Sequence, residues 1–225
     1  MFGDTVVMLP AAAAIFGWLA IGRAWRLAFW WGFLFSLGLF LVLATKVAFI
    51  GWGIGSEALD FTGISGHAMR ASAVFPVLAY LIQQHAAPSA KRRGVAIGIG
   101  AGILIDISRL VLHYHSVSEV VTGFLLGTVI ALGFIRMAEM QARPHFNRWL
   151  VALSMCALIP TSYAEPAPTN NWVNAIALYL SGHDKPYVRH FGRQARPVFA
   201  QQKTMQQTTL STALPTGVRR QIETE

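Results

Sequence analysis

Charge is scarce in this chain: only 12% of its 225 residues are Asp, Glu, Lys or Arg, against 54% hydrophobic, and the mean hydropathy is +0.48. That balance excludes an ordinary soluble globular domain and points to a polytopic membrane protein. Cysteine is nearly absent, and the single Cys156 excludes an intramolecular disulfide framework. No long run alternates apolar with polar residues, which excludes a membrane β-barrel. No basic leader precedes the first apolar run, so Val6–Ile21 reads as a retained helix and not as a cleaved signal. A carboxylate cluster of the kind that holds magnesium is missing too, so no metal and no cofactor is expected.

What is present is a series of apolar windows at Val6–Ile21, Leu27–Thr45, His67–Ile82, Val95–Ile107, Val120–Ile135 and Trp149–Ala164. Several are shorter than the roughly 20 residues that a perpendicular membrane helix needs. The cations separate them unevenly. Arg23 and Arg26 follow the first window, Lys91, Arg92 and Arg93 the third, and Arg136, Arg143 and Arg148 the fifth. An inside-positive reading puts these three loops in the cytoplasm and both termini outside it. The expected fold is all-α, a polytopic bundle of about six transmembrane helices, with a helical domain over 1–164 and a mostly irregular, flexible extracytoplasmic tail over 165–225.

Two readings of the last window stay open. Arg143 and Arg148 before Trp149–Pro160, then Ser162-Tyr163-Ala164, make the layout of a signal peptide in mid-chain; an ordinary short sixth span fits as well. Either one exports the tail. Within it, Asn171–Leu180 has the pattern of one modest amphipathic helix, and Gln201–Glu225 is rich in Gln and Thr. The basic tail either lies against anionic head groups or is solvated.

Two polar strings interrupt the apolar sequence: Ser65-Gly66-His67, and Ser108-Arg109 followed by His115 and Glu119. Ionisable groups at the ends of apolar spans are costly, which makes the cluster a functional-site candidate. Arg109 offers a planar fork suited to phosphate oxygens, and Ser108 a hydroxyl. His115 can attack phosphorus through one ring nitrogen if a carboxylate holds the proton on the other, and Glu119 stands one helical turn on. Ser65 and Gly66 open the third window, where free backbone N–H groups face an anion. His67 can then protonate a leaving oxygen.

These strings resemble the motifs of the phosphatidic acid phosphatase type 2 superfamily, which includes membrane lipid phosphatases and vanadium haloperoxidases. Its third motif, Ser-Arg, five residues, His, three residues, Asp, matches Ser108, Arg109 and His115, with Glu119 in place of Asp; its second, Pro-Ser-Gly-His, matches Ser65, Gly66 and His67, with Ile64 in place of Pro. The first motif, Lys, six residues, Arg-Pro, survives only as Lys46, because Gly53 and Ile54 stand where Arg-Pro is expected. Arg70, three residues after His67 and on its helical face, is a candidate for the missing clamp; a pair with Glu57, Asp60 or Asp106, or snorkelling to the interface, would also account for it. Family spacing selects His115 over His113. A second Ser-Gly-His at Ser181–His183, and Arg189 followed by Arg196-Pro197, look like chance matches in a polar tail.

The resemblance implies an integral membrane phosphatase hydrolysing a lipid phosphate or diphosphate, such as undecaprenyl diphosphate, lipid A or a phospholipid phosphate. His115 would form a phosphohistidine, Glu119 would orient it and His67 would protonate the leaving group. Lys46, Ser65, Gly66, Ser108, Arg109 and Arg70 would bind the phosphoryl oxygens. The alternatives are a lipid-to-lipid phosphotransferase and an inactive membrane protein of the same fold. The expected partners are the lipid substrate and the bilayer, with no nucleic acid, in a bacterial-type inner membrane with the site on its periplasmic or extracellular side.

Overall fold

The computed structural model describes residues 5–111, 115–141 and 169–188. Their elements are six helices: α1 Thr5–Ile21, α2 Trp25–Trp52, α3 Gly66–Ile82, α4 Pro88–Val111, α5 Val117–Glu139 and α6 Thr169–Ser181. Among the described residues no strand forms, and one isolated antiparallel bridge joins Ser56 to Phe61. The first five helices follow the first five apolar windows, but most reach beyond them. α2 runs past Thr45 and Lys46 because apolar residues resume at Val47, and it stops only at Gly53, whose φ of 68° is left-handed and whose N–H bonds back to Ala48 and Phe49. α4 takes in the basic turn Lys91–Arg93, with Pro88 at the first helical position, where its lack of an N–H costs nothing. The window Trp149–Ala164 lies outside the described residues.

Two of these helices, α2 and α5, are long and apolar enough to cross a membrane, while α1 and α3 are apolar but shorter. Both long helices expose large apolar side chains, Phe29, Phe33, Leu37 and Phe40 on α2 and Val121, Leu125, Val129 and Leu132 on α5. Such continuous apolar stripes are the surface of helices that face lipid.

α3 is the centre of the bundle, held between α4 and α5 by small residues. A Cβ added at Gly123 of α5 would come 2.5 Å from the Ser65 carbonyl oxygen and 2.9 Å from Ala68 Cβ, and Gly127, one turn on, meets the backbone of Met69. On the other flank, a Cβ at Gly98 of α4 would lie 2.7 Å from Phe75 O, and one at Gly102 3.1 Å from Ser72 Oγ. Two glycines four apart on each flanking helix thus let backbones touch, the packing used where lipid supplies no hydrophobic drive. The large side chains fill the other side. Trp31 of α2 donates from Nε1 to the Ala12 carbonyl of α1 at 2.9 Å and meets Phe134 of α5 edge-on, ring centroids 5.4 Å apart.

The C-terminus of α2 and the N-termini of α3 and α5 gather at one end of the bundle, while Arg23, Arg26, Lys91, Arg93 and Arg136 mark the other. Overpacking costs typically 1–3 kcal/mol, so Gly123→Leu is expected to lower the thermal midpoint of the purified protein in detergent by several degrees. Gly100→Ala, where a Cβ meets nothing within 4 Å, should leave it unchanged.

Candidate functional site

The turn into α5 assembles the first part of the site. Ser116, with φ −75° and ψ 162°, is the N-cap: its hydroxyl accepts from the Glu119 N–H, and the Glu119 carboxylate accepts from the Ser116 N–H, a reciprocal capping box. The same carboxylate serves His115, one residue before the cap. His115 Nδ1 lies 2.9 Å from Glu119 Oε2. Glu119 Oε1 accepts from the Thr62 N–H at 3.0 Å and from the Thr62 hydroxyl. Both oxygens therefore have two donors each, which satisfies a carboxylate on a residue only 2% exposed. The His115 side chain is 16% exposed, and the contact to Glu119 is made through Nδ1, the ring nitrogen other than Nε2.

The loop between α2 and α3 brings Thr62 there. Gly63, at φ 146°, passes so close to α2 that a Cβ would be 3.2 Å from the Lys46 backbone nitrogen, and the Ile64 N–H donates to Thr45 Oγ1 at 3.1 Å. Ser118 Oγ of α5 donates to the Leu59 carbonyl at 2.7 Å, and the Ser65 N–H to the Glu119 carbonyl at 3.0 Å. These bonds fix α3's first turn beside α5's. Ser65 is fully buried and caps α3, its hydroxyl accepting from the Ala68 N–H at 3.5 Å.

His67 then faces His115, ring centroids 6.3 Å apart with 53° between the planes. Lys46 of α2 is half-buried and within charge range of both Arg70 and Glu119. Arg70 does not snorkel: it is buried, and its Nη1 would lie 3.2 Å from a Cβ on Gly66, so glycine at that position lets the guanidinium fold back against α3's first turn. Two helix N-termini, two imidazoles and two cations thus converge around one carboxylate, an arrangement suited to a multivalent anion.

Not every expected residue joins this group. Ser108 is exposed and its hydroxyl donates to the Ile105 carbonyl of its own helix at 2.6 Å. Arg109 lies on α4 by its backbone, and its side chain and His113 lie outside the described residues. Asp106 accepts from Ser72 Oγ at 3.4 Å. Glu57 and Asp60 are exposed. Among the described residues no three His, Cys, Asp or Glu side chains group as metal ligands. Thr62 and Thr45 escape a reading of the sequence, because their partners lie 57 and 19 residues away and no local spacing signals either bond.

A model of the PAP2 superfamily matches residues 53–143. A Klebsiella pneumoniae protein described as an uncharacterized 22.5 kDa protein in cps region is 36% identical over 193 residues, 84% of this chain and 92% of that protein. Phosphatidylglycerophosphatase B of Bacillus subtilis (strain 168) is 38% identical over 74 residues, 32% of this chain and 36% of its own length. No solved structure matches.

Hydrogen bonds to a charged group are worth about 1.5–3 kcal/mol. Thr62→Val, which keeps the shape and the N–H but loses the hydroxyl, is expected to destabilise the protein by about that much in chemical or thermal unfolding, and Thr62→Ser to recover most of it.

Proposed function

The chain belongs to the PAP2 superfamily, whose members are usually phosphatases, and from that membership we propose that it is an integral membrane phosphatase hydrolysing a lipid phosphate or diphosphate through a phosphohistidine at His115. The observation that carries this reading is the 2.9 Å contact between His115 Nδ1 and a Glu119 carboxylate whose other acceptor positions are all filled. A carboxylate so held keeps the proton on Nδ1 and leaves the Nε2 lone pair for attack.

In the first step Nε2 of His115 bonds to phosphorus as the bond from phosphorus to the lipid oxygen breaks, and His67 gives that oxygen its proton. In the second, His67 takes a proton from water, whose oxygen attacks the phosphohistidine; the N–P bond breaks and inorganic phosphate leaves. Lys46, Arg70, Arg109 and the N–H groups at the start of α3 would hold the equatorial oxygens, where charge develops. Ser65 and Gly66 contribute through that turn, and Ser108 would have to give up its bond to Ile105 to contribute its hydroxyl.

The substrate we favour is a phospholipid monophosphate of the phosphatidylglycerol phosphate kind, because the Bacillus subtilis relative carries that activity in its name. Undecaprenyl diphosphate and lipid A present the same phosphate on an apolar anchor and belong in the same assay. The site would open on the periplasmic or extracellular side, since the cation-rich end of the bundle is the opposite one. The domain would then comprise residues 1–164, followed by an exported tail.

Phosphate release by purified protein against this lipid panel is the test. His115→Ala should lose at least ~10³-fold in turnover, about 4 kcal/mol of barrier, and a phosphorylated peptide containing His115 should be trapped from the wild type. Wild-type turnover in His115→Ala would overturn the mechanism, and phosphate appearing on a second lipid would identify a transferase.

Arg70 supplies a separate prediction. If its guanidinium binds phosphoryl oxygens in place of the lost first-motif arginine, Arg70→Ala should weaken inhibition by vanadate roughly 10- to 100-fold, the worth of a charge-assisted hydrogen bond. Arg70→Lys should restore part of it, since an ammonium keeps the charge without the fork. Unchanged vanadate inhibition in Arg70→Ala would remove Arg70 from the binding set.

A further inference from the structure

The proposed chemistry makes no use of the segment 169–187, yet that segment packs on the end of α2. α6 lays Ala177 and Ser181 on Gly51 of α2, where a Cβ would come 3.2 Å from the Ala177 carbonyl oxygen and 3.2 Å from Ser181 Cβ; Ala177 is fully buried there. After Gly182, at φ 69°, the chain turns back along the end of α2. His183 Nδ1 meets the Gly51 carbonyl at 2.7 Å, and the Tyr187 N–H donates to the Ile50 carbonyl at 2.9 Å. These are two of the last carbonyls of α2, which a helix leaves without intrahelical partners.

The opposite face of α6 is bare. Trp172 is 62% exposed and Tyr179 88%, with Ile176 and Leu180 between and beside them, one stripe at helical spacing. The helix contains no charged residue. Water is a poor neighbour for such a stripe, and the fold sets what else is near: α6 is clamped to the end of a 28-residue apolar helix whose own outer face, Phe33, Leu37 and Phe40, is exposed in the manner of a lipid-facing surface. The end of a membrane-crossing helix is at the depth of the head groups, and Trp and Tyr are the side chains that prefer that depth.

We propose that α6 is a membrane-interface anchor: its exposed Trp172, Ile176, Tyr179 and Leu180 sit in the head-group and acyl boundary of the leaflet on the side of the candidate site, while its other face holds the end of α2. The occupant of the stripe is the bilayer itself, continuous with the lipid on α2. Through Gly51 and Gly53 the anchor sets the depth of the loop that carries Thr62 and lies against Lys46. The inference rests on the membrane reading made above, and on none of the catalytic assignments.

Depth-dependent fluorescence quenching tests it. In a Cys156→Ser background, Tyr179→Cys and, separately, Phe40→Cys are labelled with an environment-sensitive fluorophore and the full chain is reconstituted into vesicles of phosphatidylethanolamine and phosphatidylglycerol. With nitroxide lipids, the label at 179 should lose at least about twofold more fluorescence to a shallow nitroxide than to a deep one, as expected for an apolar face buried about 5–10 Å into the boundary. It should also be shielded from aqueous iodide. The label at 40 should favour the deep nitroxide. Iodide quenching at 179 with no lipid quenching, while 40 is still quenched, would overturn the inference alone. So would protection at 179 from both quenchers with cross-linking between two copies of the chain, which would make the occupant a second copy. Absence of lipid quenching at both positions would overturn the membrane reading and the anchor together.

Discussion

The carboxylate of Glu119 is the interaction on which the other parts of the site depend, because it is where the loop after α2, the turn before α5 and the His115 ring meet. Burying an ion in a low-dielectric bundle costs several kcal/mol even after relaxation, and only well-placed donors offset that cost. Here they come from Thr62 in the loop after α2 and from His115 and Ser116 in the turn before α5, two stretches of chain far apart in sequence. Removing one donor leaves part of that cost uncovered, and so loosens a loop, a helix cap and an imidazole together. Glutamate in place of the family's aspartate fits this geometry. A capping box is made by the residue at the third helical position, and the added methylene lets one side chain reach its own N-cap, His115 and Thr62 at once.

What holds the two histidines to one another is the packing of α3. Its first turn is bonded to α5 through Ser65 and Glu119, and its length is gripped through glycines of α4 and α5 where no side chain fits. A helix so enclosed has little freedom to shift, so the spacing of His67 from His115 is set by backbone contact and not by long flexible side chains. Rigid elements with small residues between them are the means by which a membrane bundle holds two side chains at a fixed separation.

Much of this was legible along the sequence wherever the determining contacts are local. Five apolar windows became five helices, Ser65 opened the third as an N-cap, and His115 with Glu119 could be paired from their spacing of four alone. Asn171–Leu180 became a helix as its pattern suggested. The illegible parts are long-range. Nothing next to Thr62 announces a partner 57 residues away, and the Ser-Gly-His at Ser181–His183, read as a chance string in a free tail, is the piece that turns the chain back onto Gly51. Helix ends were misjudged for a related reason. Charged residues such as Lys46 and Lys91–Arg93 interrupt an apolar window without interrupting the hydrogen-bonded helix that contains them.

The departure at Gly53 and Ile54 has a structural setting that the motif alone does not reveal. The family pattern expects arginine where Gly53 stands, but this residue closes α2 in a left-handed conformation, and a Cβ there would lie 3.0 Å from the Tyr187 ring. An L side chain would meet both backbone strain and the C-terminal segment. The space beside that helix end is taken by the Tyr187 ring. The buried guanidinium that does lie near the site, that of Arg70, comes from within α3, and reaches it because residue 66 is glycine as well. A cation on α3 moves with His67, whereas one on the loop after α2 would move with the interface. If Arg70 is the phosphate clamp proposed above, its charge is fixed to the helix that carries His67, and the end of α2 is left to the C-terminal segment.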